Sequence, residues 1–227
     1  MGAVFSSFRG IPVDSDEISQ SEFFHRMCGG HVCRLTTCFR SDKPLFDWYT
    51  SLAENGPRHS LTLAEQVRQA RAAFPRRGRA RWHLVVSHLK RIAINRREML
   101  RLRPPGAIFV PRVLTSGMTC ASQDMWLWVG MEVFACCRSV TKGLRNGLLY
   151  TVEEVGDTVR VGGATLTLEE ASKFLRPSFA QTYASSQGLT LEGLVAVCDS
   201  GHRNFTTRML LIGLSRSRGS DLVQVCD

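Results

Sequence analysis

A chain of 227 residues with 44% hydrophobic and 22% charged residues can bury a sizeable core, which excludes a peptide, a coiled coil and wholesale disorder. Its 29 Lys and Arg stand against 20 Asp and Glu, a net charge of +9 that favours a polyanionic partner. Ten of those cations fall from Arg76 to Arg103 with Glu98 as the one acidic residue among them, so this interval holds the equivalent of the whole net charge. No apolar run reaches the roughly 20 residues of a membrane span, the longest, at 125–137, being interrupted by Glu132. Eight irregularly spaced cysteines without a secretory pattern ahead of them read as reduced thiols in an intracellular protein. Gly2 and Ser6 fit the loose N-myristoylation template, but a single acyl chain binds membrane only marginally, and no membrane partner is expected.

In chain order, residues 1–30 read as irregular and 31–37 as a short strand. A helix over 42–52 would bury Leu45, Phe46, Tyr49 and Leu52, and Ser60 would cap a second helix carrying Leu63, Val67, Ala70 and Phe74 at helical spacing. After a basic connector, 82–87 reads as a buried strand leading into a helix over 88–101 that stops before Pro104 and Pro105. On that helix Lys90, Arg97 and Arg101 share one stripe, with Leu89, Ile92, Met99 and Leu100 expected on a core-facing side. Residues 129–168 read as hairpins turning at Gly143, Gly147, Gly156-Asp157 and Gly162-Gly163. Strands at 178–183, 194–199 and 221–225 and a helix at 204–214 complete an alternation that implies a parallel sheet flanked by helices.

Three stretches carry chemistry. Leu35-Thr-Thr-Cys-Phe-Arg40-Ser41 comes first, Thr182-Tyr-Ala-Ser-Ser-Gln-Gly-Leu-Thr190 second, and Ile212-Gly-Leu-Ser-Arg216-Ser-Arg218 last. Their order resembles the later motifs of superfamily 1 helicases of the RecD, Pif and UvrD kind: L-x-x-x-[FY]-R, then T-x-H-x-S-Q-G-x-T, then V-A-L-S-R. The resemblance runs from about residue 30 to the end. It takes in Gly130-Met-Glu-Val and the Lys-Gly-Leu-Arg-Asn146-Gly147 segment, which in the family introduces a small β module.

The resemblance implies an α/β fold, the second RecA-like lobe of a P-loop NTPase-type core. That lobe would span 31–128 and 169–227, with a small β-barrel or hairpin module inserted at 129–168 and an N-terminal segment at 1–30. It further implies phosphoryl-transfer chemistry, in which ATP and Mg are held mainly by a first lobe and the second lobe reaches the γ-phosphate with cations. Arg216 then takes the arginine-finger role, Arg40 is the second arginine, and Gln187 and Gly188 lie at the nucleotide. Thr182, Ser185, Ser186 and Thr190 would link that site to the strand. Ala184 stands where the family has His, and Ser185 where Lys is frequent, so two polar contacts are missing. Lys90, Arg91, Arg97 and Arg101 would track a phosphodiester backbone, with Trp82 or His83 stacking on bases if exposed.

The 227 residues contain no G-x-x-x-x-G-K-[ST] and no apolar strand ending in Asp-Glu, since Asp16-Glu17 lies in a polar stretch. The expectation is therefore a helicase lobe, a fragment or a subunit, that needs its first lobe in cis or in trans, binds single-stranded DNA (RNA being the other candidate), and turns over no ATP alone. Its compartment would be the nucleus or another one containing DNA. The alternatives are a non-enzymatic single-strand-binding remnant and a zinc-binding interaction module on His25, Cys28, His31, Cys33 and Cys38. The zinc spacing is poor, because no C-x-x-C occurs.

Overall fold

The computed structural model describes residues 7–8, 11–12, 22–27, 29, 31, 38–53, 56–113, 123–136 and 142–226. In chain order the elements are β1 (Ser7–Phe8), β2 (Ile11–Pro12), α1 (Glu22–Met27), α2 (Lys43–Thr50), α3 (Leu63–Ala73), β3 (Trp82–Val85), α4 (His88–Leu102), β4 (Ile108–Val110) and β5 (Met125–Leu127). There follow β6 (Glu132–Ala135), β7 (Leu149–Val155), β8 (Thr158–Val161), β9 (Ala164–Thr167), α5 (Leu168–Phe174), β10 (Leu175–Pro177), β11 (Ala180–Thr182), β12 (Val195–Val197), α6 (Thr207–Leu214) and β13 (Val223–Val225). The strand expected at 31–37 and the Gly2 site lie outside the described residues, as do Cys28 and Cys33. Among the described residues no helix is long and apolar enough to cross a membrane.

The chain forms two compact units, residues 1–77 with 186–227, and residues 78–185. This division falls at other residues than the expected lobe at 31–128 and 169–227 with its insert at 129–168. In the first unit, β12 and β13 pair in parallel, Val195 opposite Val223, and all six of their residues are buried. Such doubly covered strands need helices over them, and α3 packs against β13 while α6 packs against β12 and α2. The sequence explains where each helix starts. Asp42 caps α2 by accepting from Leu45 N–H, and Thr206 caps α6 by accepting from Met209 N–H. For α3 the cap is Thr62, not Ser60: Thr62 and Glu65 bond each other's backbone in a capping box, satisfying two free N–H groups that Ser60 is too early to reach. Phe46, expected in the core, is half-buried, whereas Leu45, Tyr49 and Leu52 are buried.

In the second unit, β3 and β11 pair in parallel with α4 packed on both. Ser87 caps α4, accepting from Lys90 N–H, and Pro104-Pro105 follows its end. The expected core face of this helix needs correction. Leu89 is 81% and Leu100 51% exposed, and the buried face is Arg91, Ile94, Asn95, Glu98 and Met99. Asn95 explains a polar seam here, because its Oδ1 accepts the Ala180 N–H of β11 at 2.8 Å. The antiparallel sheet runs in the order β10-β6-β7-β8-β9. Its two tight hairpins turn at Gly156-Asp157 and at Gly162-Gly163, the second with φ of +57° and +77°, the left-handed pair a two-residue turn requires. The sheet takes β10 from beyond residue 168, pairing it with β6. Val133, Val152, Val161, Leu166 and Leu175 pack with Met99 into one core, each contributing about 1.5–3 kcal/mol by leaving water.

Candidate functional site

The first unit gathers two of the three motif stretches around Arg216. Residues 215–220 follow α6, and they are zipped to the entry of α2. Asp42 N–H donates to Arg218 O at 2.8 Å, Ser41 Oγ donates to Ser217 O at 3.0 Å, and the Asp42 carboxylate accepts from both the N–H and the hydroxyl of Ser220 at 2.8 and 2.9 Å. Arg40, exposed, sits at the start of this seam. Half-buried Cys38 closes it from the other side, 3.5 Å from the Tyr49 hydroxyl. Burial, with the Cys38 contact adding to it, pushes Tyr49 up to about 12.

Arg216 is 5% exposed. Its Nε donates to Ile212 O at 3.2 Å, one terminal nitrogen to Ser186 O at 3.3 Å and Leu189 O at 3.1 Å, and the other to Ser215 Oγ at 2.9 Å. Its own carbonyl accepts Leu191 N–H at 2.9 Å. Every one of these acceptors of the guanidinium is neutral. Burial, and after it the charge of Arg40, lowers the Arg216 pKa to about 10. The group stays charged at neutral pH, but its cation is held in an environment that disfavours it. A desolvated guanidinium whose acceptors are all neutral is eased by an anion beside it.

The Ser186 to Leu189 turn is the platform that Arg216 grips. Ser186 is fully buried, Leu189 N–H donates to Ser186 O at 3.1 Å, and Gly188 holds φ +84° at the turn, which favours glycine. Gln187 is half-buried, and Gly188 and Thr190 are exposed. In the second unit, at the end of β11, Thr182 Oγ1 and Ser185 Oγ lie 3.0 Å apart and Ser185 N–H donates to Thr182 Oγ1 at 3.3 Å, so these two close a local hydroxyl turn.

The basic helix α4 is more constrained than its charge count implies. Arg91 is buried and faces the interior, not a strand on the surface. Arg97 and Arg101 both donate from Nε to Glu98, each at 2.9 Å, and burial, outweighed by these two partners, leaves the Glu98 carboxyl below its ordinary value. Lys90, Arg96 and Arg97 remain on the exposed side. Trp82 is 3% exposed and packs 5.9 Å from Phe134. His83 is buried against Phe179 O at 3.1 Å, and desolvation lowers its pKa. Neither ring is open to a base, a correction that follows from β3 being covered on both faces.

Of the residues that frame Arg216, Ser215 and Ser217 lie within the third motif stretch and Tyr49 was expected in the core, but none of them, nor Asp42 or Ser220, was given a role in the site from sequence. Asp42 alone carried a signal, as an Asp directly ahead of a helix containing Pro at its first turn. Of the zinc candidates, His25, His31 and Cys38 are described, and among the described residues no group of three metal-ligating side chains is gathered.

No protein-family model and no curated protein matches the chain. Solved structures do. A Pif1 helicase from Bacteroides bound to single-stranded DNA matches 95% of this chain with a TM-score of 0.58 and 19% identity. Bacteroides Pif1 in complex with ADP-AlF3 and single-stranded DNA matches 96% with a TM-score of 0.60 and 18% identity. A Pif1 helicase from Candida albicans matches 84% with a TM-score of 0.55 and 15% identity. The chain spans 59%, 59% and 55% of those three chains. The likeness is one of fold: an α/β chain with parallel strands flanked by helices and an added antiparallel sheet, shared with part of the length of these Pif1 helicases.

Proposed function

We propose that this chain works as the second RecA-like lobe of a superfamily 1 helicase. It presents Arg216 and Arg40 to ATP held with Mg by a first lobe, supplied in the same product or as a separate subunit, and it binds single-stranded DNA or RNA. The observation that carries this reading is the setting of Arg216: it is buried, its acceptors are all neutral, and the turn after it is bonded to residues 41 and 42, directly after Arg40. Charge developing on a transferred phosphoryl group would be stabilised by a guanidinium brought to it from this setting. Because Arg216 also grips the turn holding Gln187 and Gly188, a shift of the guanidinium toward a γ-phosphate would release Ser186 O and Leu189 O. That couples nucleotide occupancy to the turn, and through Thr190 and the Thr182–Ser185 hydroxyls to a bound strand. The absence of a phosphate loop from the 227 residues supports strand binding without turnover as the behaviour of the chain by itself.

The binding half of the proposal is tested by fluorescence anisotropy of labelled oligo(dT) with the full chain between about 50 and 200 mM salt. Affinity is expected to fall steeply as salt rises, with the log–log slope set by the phosphates neutralised. Reversing Lys90 and Arg97 to Glu should flatten that slope by about one per contact removed, Arg101 being left in place so that Glu98 keeps a partner. Binding that ignores salt, or none, contradicts the proposal.

A further inference from the structure

The second unit carries an aromatic surface on the ladder of β4 and β5. β4 and β5 form an antiparallel ladder in which Phe109 stands directly opposite Trp126, with ring centroids 5.1 Å apart and planes inclined at 50°. Strand alternation sends Met125 and Leu127 into the core, both 0% exposed, and leaves Trp126 on the other side. Phe109 is 44% exposed. Arg103, which ends α4, lies with its guanidinium carbon 4.2 Å from the Trp126 ring centroid. One residue beyond β5, Trp128 lines a cavity of about 360 Å³ together with Leu102, Arg81 and Glu132, the last two joined by bonds of 2.6 and 2.8 Å.

We propose that Phe109, Trp126 and Arg103 form a base-stacking platform for single-stranded nucleic acid, with the cavity beside Trp128 receiving a neighbouring unpaired base. This rests on the nucleic-acid reading above and gives that reading its aromatic contacts. The occupant follows from two complementarities. Residues 78–185 hold 15 Lys and Arg against eight Asp and Glu, so the unit attracts a polyanion. The exposed ring of Phe109 and the half-buried ring of Trp126, the latter with an arginine stacked on it, match the π-face that every unpaired base presents, and that face is hidden inside a duplex. An acidic peptide would meet the charge but would leave the rings without planar partners.

The test measures the full chain against two labelled strands of equal length, oligo(dT) and its abasic counterpart with the same phosphodiester backbone. The wild type is expected to bind oligo(dT) about tenfold more tightly than the abasic strand, the size of one or two base–aromatic stacks. Trp126→Ala and Phe109→Ala should each erase most of that preference while keeping the salt slope, and Trp126→Phe should retain it. Arg103→Ala should weaken binding to both strands and flatten the slope by about one. If Trp126→Ala and Phe109→Ala, folded by near-UV circular dichroism, still prefer oligo(dT) tenfold, the platform is overturned while the salt-dependent binding stands. If the wild type binds neither strand, both readings fall. Should Trp126→Ala fail to fold, Phe109→Ala, whose ring is largely outside the core, decides.

Discussion

Asp42 receives Leu45 N–H, Ser220 N–H and Ser220 Oγ–H at 2.8 to 2.9 Å, so one carboxylate both caps α2 and fastens the turn that follows Arg216. Burial pulls its pKa up, but these bonds outweigh burial and hold it below the ordinary aspartate value. A carboxyl with a lowered folded pKa stabilises the protein above its unfolded pKa, and that contribution is lost as pH falls through the folded one. Asp42→Ala should therefore lower stability to urea by about 1–2 kcal/mol at pH 7. The gap to wild type should narrow below about pH 4, where the carboxyl of the unfolded chain takes up a proton before the native one does. An equal gap at pH 7 and pH 3 would mean that the charge is not what matters. Ser220 lies 178 residues from Asp42 along the chain. That is why a sequence can show the cap but not the clasp: capping is local chemistry, and the partner of a free carboxylate oxygen is a property of the fold.

At the scale of elements, α4 shows which part of a pattern survives folding. Its bounds were legible, because Ser87 supplies a cap and Pro104-Pro105 cannot continue a helix. Its buried face was not. Helical spacing placed Leu89 and Leu100 inward, yet β11 presents a backbone N–H that needs an acceptor, and Asn95 provides it; the helix turned so that a polar seam is satisfied while two leucines stay exposed. The same turn places Glu98 beneath Arg97 and Arg101, restraining two cations that the strand would otherwise recruit. Glu98→Gln should strengthen oligo(dT) binding at low salt and steepen the salt slope by about one per released arginine. An unchanged slope would show that Arg97 and Arg101 take no part in binding. The hairpins were legible for a different reason: Gly162-Gly163 can adopt the left-handed turn at no steric cost, and no distant partner is involved.

For the molecule as a whole, the alternation of strands and helices was enough to fix an α/β class, and the order of three short motifs was enough to indicate the helicase fold. Pairing was the part that composition and periodicity could not supply. β10 joins β6 across 40 residues, Leu175 opposite Ala135, and β4 meets β5 across the stretch between Val110 and Met125; both ladders are set by a shared core around Met99 and Leu175. The candidate site was half legible. Arg40 and Arg216 were marked by motif, and the residues directly after each are bonded to one another, whereas Arg91, Trp82 and His83 were marked by charge or residue type and are buried. Burial depends on which face meets the sheet, and a single stripe of residues does not decide it.

The central claim is that this chain holds the arginines of a nucleotide site and not the nucleotide. Steady-state ATP hydrolysis by the purified 227-residue chain with Mg, with and without oligo(dT), tests it most directly, with Arg216→Ala as the reference. The expected result is a background rate that oligo(dT) does not raise and that the substitution does not lower. A nucleic-acid-stimulated rate abolished by Arg216→Ala would contradict the claim, since it would mean that these residues alone bind ATP and complete the reaction.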